Sequence, residues 1–308
     1  MKKTFIALMT LAVAAVSCNK ADVISVDRQA ITFGEAFVDN ATKADYSSGK
    51  TLSKFNVWGT VTGNNNTVAL YSGAEVTGNV GDEKWTCNQT EYWIPSASYK
   101  FIALADATTT SNMPGKVSYS VDSKGDLLLA SAEATTENNG IPTGTSIRNG
   151  VVNFTFTHLL SKVFFKFNYG VENNTRYAFN VTNVSLSGLT ATGDYVFNDG
   201  WKNGSGTETL TFGTTAANVT SSASQNSTES HQILPLTQSL TATITYDVIY
   251  DGKTIMVGRT QSASVTNQTF SPNTVYCLNV SIPAPGQPIV FNVESIGGFG
   301  QTSEVTLQ

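Results

Sequence analysis

Leu240-Thr241-Ala242-Thr243-Ile244-Thr245-Tyr246-Asp247-Val248-Ile249-Tyr250-Asp251-Gly252 is the stretch that decides the fold class. Leu240, Ala242, Ile244, Tyr246, Val248 and Tyr250 alternate with Thr241, Thr243, Thr245 and Asp247. Successive side chains of a strand point to opposite faces, so this period predicts one buried face and one wet face. Asp251-Gly252 tolerates positive φ at both positions, which predicts a two-residue hairpin turn into a second strand from Thr254 to Gly258.

The same alternation recurs outward from this hairpin. Val152, Phe154 and Phe156 form one apolar face, Phe165, Phe167 and Tyr169 another, and Tyr276, Leu278, Val280 and Ile282 a third. In the last of these, Cys277 falls on the opposite side with Asn279 and Ser281, where a half-exposed thiol is expected. Nearer the N-terminus, Phe55 with Val57, and Tyr99 with Phe101 and Ala103, repeat the pattern. Helical spacing of useful length is missing, so the chain is expected to be all-β. Many short strands between Gly, Asn, Ser and Thr clusters predict sandwiches.

Residues 131–150 (SAEATTENNGIPTGTSIRNG) carry no evident strand pattern and are polar and proline-punctuated. They place a domain boundary near Gly150, giving an N-terminal sandwich over 46–150 and a C-terminal one over 151–308. Residues 213–231 are read as a long surface loop.

The first residues read as an export signal. Lys2 and Lys3 precede a short apolar run from Phe5 to Val16, and Ala15-Val16-Ser17 stand directly before Cys18. This pattern predicts a lipoprotein signal peptide over 1–17 and an acylated Cys18 that anchors the chain to a lipid bilayer. Residues 18–45 then form a tether that includes a first strand.

Composition excludes several classes of function. The net charge of −5 comes without a basic cluster, which removes nucleic acid and anionic membrane surfaces as electrostatic partners. After Cys18 only Cys87 and Cys277 remain, too few for a disulfide framework and far from any Cys-x-x-C spacing. General acid–base chemistry needs a titratable group with a partner in reach, and the two histidines, His158 and His231, have none at motif spacing. His158 reads as a satisfied structural histidine. Nucleophile elbows, zinc-protease, Walker, dinucleotide and EF-hand motifs are missing from the sequence. No catalytic residue, metal or cofactor is expected. Of the four tryptophans, Trp58, Trp85 and Trp93 read as structural or capping. Trp201, in Asn198-Asp199-Gly200-Trp201-Lys202-Asn203-Gly204, reads as a loop residue and the best single candidate for contact with a sugar ring.

Several stretches together resemble the fimbrillin family of Bacteroidales, the subunits of surface fimbriae. They are Val16-Ser17-Cys18-Asn19-Lys20, Ala30-Ile31-Thr32-Phe33, Ala41-Thr42-Lys43-Ala44, Phe55-Asn56-Val57-Trp58-Gly59 and Trp93-Ile94-Pro95 with Tyr99-Lys100-Phe101-Ile102-Ala103. The second half adds Phe154-Thr155-Phe156-Thr157-His158-Leu159-Leu160-Ser161-Lys162-Val163 and Asn273-Thr274-Val275-Tyr276-Cys277-Leu278-Asn279-Val280. The resemblance implies two tandem transthyretin-like β-sandwich domains, export as a lipoprotein, and removal of an N-terminal segment before polymerisation by strand exchange. It implies no enzyme. The position that matches the processing site is Lys43, where relatives often carry arginine; Arg28 is the second choice.

On this reading residues 30–38 form a strand whose Ile31 and Phe33 fill a groove until cleavage releases them. Ile289, Phe291 and Val293 alternate as a donor strand, and Val305 and Leu307 repeat the pattern beyond Gly297-Gly298-Phe299-Gly300. The expected partners are other fimbrial subunits and a host or bacterial surface receptor. The rival reading is a glycan-binding outer-membrane lipoprotein of a polysaccharide-uptake system, which would retain polysaccharide through Trp201 or Trp85.

Overall fold

The computed structural model describes residues 29–38, 52–79, 82–105, 115–121, 125–171, 173–213, 218–227 and 229–299. Among these the regular structure is all strand. In chain order the strands are β1 (Thr32–Val38), β2 (Lys54–Gly63), β3 (Asn66–Thr77), β4 (Thr86–Cys87), β5 (Ser98–Ala105), β6 (Lys116–Ser120), β7 (Leu128–Thr136), β8 (Pro142–Thr143), β9 (Ile147–Arg148) and β10 (Val151–His158). They continue with β11 (Ser161–Tyr169), β12 (Tyr177–Val196), β13 (Gly200–Phe212), β14 (Gln225–Asn226), β15 (His231–Ile233), β16 (Thr237–Tyr250), β17 (Lys253–Thr269), β18 (Thr274–Ile282) and β19 (Val290–Gly298).

The stretch that opened the sequence reading is β16, and its two faces separate as its period requires. Leu240, Ala242, Ile244, Tyr246 and Val248 are buried. On the other face, Thr241, Thr243 and Thr245 meet Ser264, Ser262 and Thr260 of β17 in a ladder of hydroxyl pairs at 2.8, 2.8 and 2.9 Å. Asp251 and Gly252 turn with φ of 45° and 76°. The strand after the turn is longer than expected, running to Thr269.

Two five-stranded sheets enclose one core. One has the order β14-β11-β18-β19, with β15 also on β11; the other has the order β13-β12-β16-β17, with β6 also on β12. Phe165 and Phe167 of β11, Leu278 and Val280 of β18, Phe179 of β12 and Ile244 of β16 meet between them. The pairing of β11 with β18 is parallel over its whole length, so the chain must cross over between these strands and cannot join them by a hairpin.

The other core lies inside a nine-stranded sheet of order β1-β10-β7-β5-β2-β3-β4, with β8 on β7 and β9 on β10. β1 runs parallel to β10. Its other edge bonds to the segment beside β4: the Ile31 amide donates to Glu91 O at 2.7 Å, the Trp85 amide to Phe33 O at 2.9 Å, and the Trp93 amide to Gln29 O at 3.0 Å. β1 therefore closes the sheet on itself. Gly34 permits the close approach to β10, since a methyl there would overlap Asn153 Oδ1 and Val151 Cγ1.

Two expectations are corrected here. Residues 131–136 are not a link but the end of β7, where Ala130, Ala132, Ala134 and Thr136 face the first core and charged Glu133 faces out. Alanine supplies so little apolar area that the alternation was hidden among polar neighbours. The chain also does not change cores at Gly150. Val152, Phe154 and Phe156 of β10 pack in the first core, and the crossing falls at Leu159–Leu160.

That crossing sits in a third core that joins the halves. Trp58, Leu104, Tyr119 and Leu127 from the first half pack with Leu159, Leu160 and Leu234, and Tyr195 and Trp201 lean on them. β6 belongs to the first half by sequence, yet it pairs with β12 from Lys116↔Val196 to Ser120↔Thr192. Backbone ladders and apolar burial both cross the expected boundary.

Phe33 is fully buried. Replacing a buried phenylalanine with alanine removes its transfer free energy and leaves a cavity, at a cost of about 3–5 kcal/mol. Phe33→Ala is expected to lower unfolding free energy by that amount in urea denaturation followed by tryptophan fluorescence. Phe37→Ala, on the same strand but exposed, is expected to change it by less than about 0.5 kcal/mol.

Candidate assembly site

The groove that β1 fills is aromatic. The Phe33 ring lies 5.5 Å from Tyr71, 6.0 Å from Phe154, 6.2 Å from Phe101 and 6.3 Å from Phe55, centroid to centroid. Three of these contacts are edge-to-face, the arrangement in which the positive ring edge meets the negative face of its neighbour. Ile31 and Ala36 are buried beside it. Each large apolar side chain withdrawn from such a site forfeits about 1.5–3 kcal/mol, and withdrawal of the strand also leaves two ladder edges unpaired. The structure thus brings Phe33 of β1 and Ile31, the residue just before that strand, together in one groove.

Ile289, Phe291 and Val293 lie elsewhere, in the second core. β19 pairs with β18 alone, placing Phe291 opposite Val280 and Val293 opposite Leu278. Ile289 and Phe291 are buried there, and Phe291 stacks on Phe165 at 6.3 Å. In the single chain the expected donor residues occupy their own sheet. Cys18, Arg28, Lys43, Val305 and Leu307 lie outside the described residues.

Trp201 is not a loop platform. It is the second residue of β13, half-buried against Tyr119 and Tyr195, and its indole N–H donates to Leu159 O at 2.7 Å. The turn signal Asn198-Asp199-Gly200 ends immediately before it, which is why the sequence placed it in a loop. Trp58, Trp85 and Trp93 are buried. With all four indoles packed, the glycan-binding reading loses the residues that carried it.

His158 is buried, with Nδ1 2.6 Å from Asp126 Oδ2 and its ring stacked on Phe299 at 4.1 Å. Asp126 Oδ1 accepts from the Leu127 amide at 2.8 Å. Nothing at the sequence level singled out Asp126, because its partner lies 32 residues away. The pair is a satisfied polar contact inside the junction. Among the described residues no group of three or more His, Cys, Asp or Glu side chains gathers in a way that could hold a metal ion.

Cys87 and Cys277 are both free thiols. Cys277 is buried, not half-exposed as expected, because β18 is an inner strand between β11 and β19 and is covered on both faces from Tyr276 to Leu278. Burial pushes its thiol up to about 11, against a smaller opposing pull from Lys166. Burial raises the half-buried Cys87 as well, with the Gln89 backbone hydrogen bond working the other way.

Comparison with known proteins adds the following. The family described as fimbrillin-like matches residues 42–296. A fimbrial protein from Bacteroides vulgatus superposes with a TM-score of 0.60 at 17% identity, covering 86% of this chain and 99% of that one. A candidate cell adhesion protein from Bacteroides uniformis superposes with a TM-score of 0.54 at 16% identity, covering 88% of this chain and 98% of that one. A third, described in the same terms and from Bacteroides ovatus, gives 0.54 at 14% identity, over 87% and 98%. At these identities the structures share the fold. Among curated proteins nothing matches.

The thiol pKa values set a pH dependence. The thiolate is the reactive form, so a raised pKa protects the folded protein. Native chain at pH 8 is expected to take up iodoacetamide at Cys87 well before Cys277. The Cys277 rate should rise about tenfold per pH unit between 8 and 10, read by peptide mass spectrometry.

Proposed function

We propose, since this chain belongs to the fimbrillin-like family, that it is a subunit of a cell-surface fimbria that acts by assembly and adhesion and not by catalysis. The observation that carries the reading is the placement of β1: a strand from the N-terminal segment completes the first core, and a polar stretch containing Lys43 separates it from β2. Export proceeds through the signal at 1–17, and acylated Cys18 holds the chain on the outer membrane. Arg28, the second choice of cut site, precedes β1, and cleavage there would leave the strand attached; cleavage after Lys43 severs β1 from the rest of the chain and bares the groove around Tyr71, Phe101 and Phe154. A strand from a neighbouring subunit then takes its place.

β19 is the proposed donor. It is the last strand of its sheet and is paired on one side only, so it can leave with fewer ladder bonds broken than any inner strand. Phe291 and Val293, with Ile289 just ahead of the strand, offer the groove the same spacing as Ile31 and Phe33. Each addition is head-to-tail and does not close, so the product is a filament. Receptors on a host or a neighbouring bacterium are the proposed targets of the assembled fibre.

Electron microscopy of cells with and without this chain tests the reading. Fibres are expected with the parent chain, and both Lys43→Gln with Arg28→Gln and a deletion of residues 286–308 are expected to abolish them. Fibres as abundant in cells lacking the chain would contradict it. A Cys18→Ser chain is expected to lose fatty-acid label, and continued labelling would contradict the anchor.

A further inference from the structure

At Gly34 the groove has no room for a side chain. Phe33 pairs with Val152 and Ala36 with Phe154, so Gly34 and Glu35 together stand against the single residue Asn153 as a β-bulge. Gly34 is buried there. A Cβ on it would overlap Asn153 Oδ1 and lie 2.7 Å from Val151 Cγ1. These obstacles are side chains, yet neither yields freely. Asn153 Nδ2 donates to Ser146 O at 3.4 Å and to Val151 O at 3.2 Å, and the carboxamide gives up both bonds on swinging out. Val151 is β-branched and stiff at χ1, and its strand is paired on both sides, with Thr32 and with Arg148.

β19 brings a side chain to this position. When Phe291 takes the place of Phe33, and Ile289 that of Ile31, Asn292 falls on the place of Gly34. Sliding the strand so that Gly297 reaches the bulge offers no escape. It puts Ile296 in the place of Phe33 and Glu294 in that of Ile31, a carboxylate in an apolar site. In its own sheet Asn292 is exposed and stands opposite Asn279. The spacing that suits β19 to the aromatic groove therefore comes with a misfit at the adjoining position, which β1 avoids.

We infer that Asn153 and Val151 are specificity-determining residues of the groove: they read the residue after the aromatic anchor, favouring β1 with Gly34 over β19 with Asn292. The inference rests on the fimbrial reading for the identity of the donor, and its consequence is one of order. While β1 is joined to the chain, the β19 of a neighbour is the poorer fit and does not displace it. Once cleavage after Lys43 lets β1 go, the groove accepts β19 by turning Asn153 outward. Asn153 and Val151 thus hold back polymerisation until the cut is made.

The test uses the full chain, cut once at a specific protease site placed over residues 40–46, with a fluorescent label on the N-terminal piece. Anisotropy follows release of that piece by synthetic competitor peptides. Should the piece leave unaided, the same peptides, labelled, are titrated into the emptied chain. A peptide of residues 286–298 with Asn292→Gly is expected to act at concentrations lower than the parent peptide by tenfold or more, although glycine within a strand ordinarily weakens it. A peptide of residues 29–38 with Gly34→Asn is expected to be weaker than its parent by tenfold or more. Both differences are expected to vanish in a chain carrying Asn153→Ala and Val151→Ala, whose melting temperature before cutting shows that it folds. The peptide substitutions leave the chain itself unaltered, so they decide the matter even if that variant does not fold. An Asn292→Gly peptide no better than its parent, a Gly34→Asn peptide as good as its parent, or differences that persist in the folded variant overturn the inference and leave the donor reading standing. If neither 286–298 peptide binds while the 29–38 pair differs as expected, the donor reading fails and the role of Asn153 and Val151 stands.

Discussion

Phe33 touches four aromatic rings that come from β2, β3, β5 and β10, yet the strand that carries it reaches the core from a segment separated from β2 by residues 39–53. β1 has a parallel ladder on one side, where pairing is slightly weaker per residue, and three spaced hydrogen bonds on the other. The first core is therefore completed by a strand that is set apart from β2 along the sequence. A small sandwich stable by roughly 5–15 kcal/mol spends a large part of that margin on such an arrangement.

The junction between the halves is independent of β1. The third core, with Trp58, Leu127, Leu159, Leu160 and Leu234, locks the halves together at the end of the first sandwich toward which β1 runs, and β6 carries a ladder across. Buried Asp126 and His158 satisfy each other there, where an unpaired partner would cost about 1–3 kcal/mol. Opening the β1 seam leaves this junction in place, so the second sandwich keeps a fixed attachment while the first core is open.

Much of the fold was legible because its buried faces are made of large side chains. Phe, Tyr, Val and Leu at every second position in β10, β11, β16 and β18 announce strands whatever their partners. β7 escaped because alanine buries the same face with a fraction of the area. Trp201 was misplaced because a turn signal stops one residue before it. Cys277 was misjudged because period 2 tells faces apart but not which sheets have both faces covered. The position of Ile31 and Phe33 was readable from their alternation, whereas their parallel pairing with β10, more than a hundred residues away, was not. The docked state of β19 was equally invisible, since a donor strand and a resident strand have the same pattern.

The dependence of the first core on β1 is open to direct measurement by complementation. A chain beginning at Ala44 would be titrated with a synthetic peptide of residues 29–38, following tryptophan fluorescence and melting temperature. The account predicts that the shortened chain melts below the full chain, and that the peptide binds it and restores most of the difference. A peptide with alanine at position 33 should fail at the same concentration. A shortened chain that melts with the full one and ignores the peptide would contradict the account.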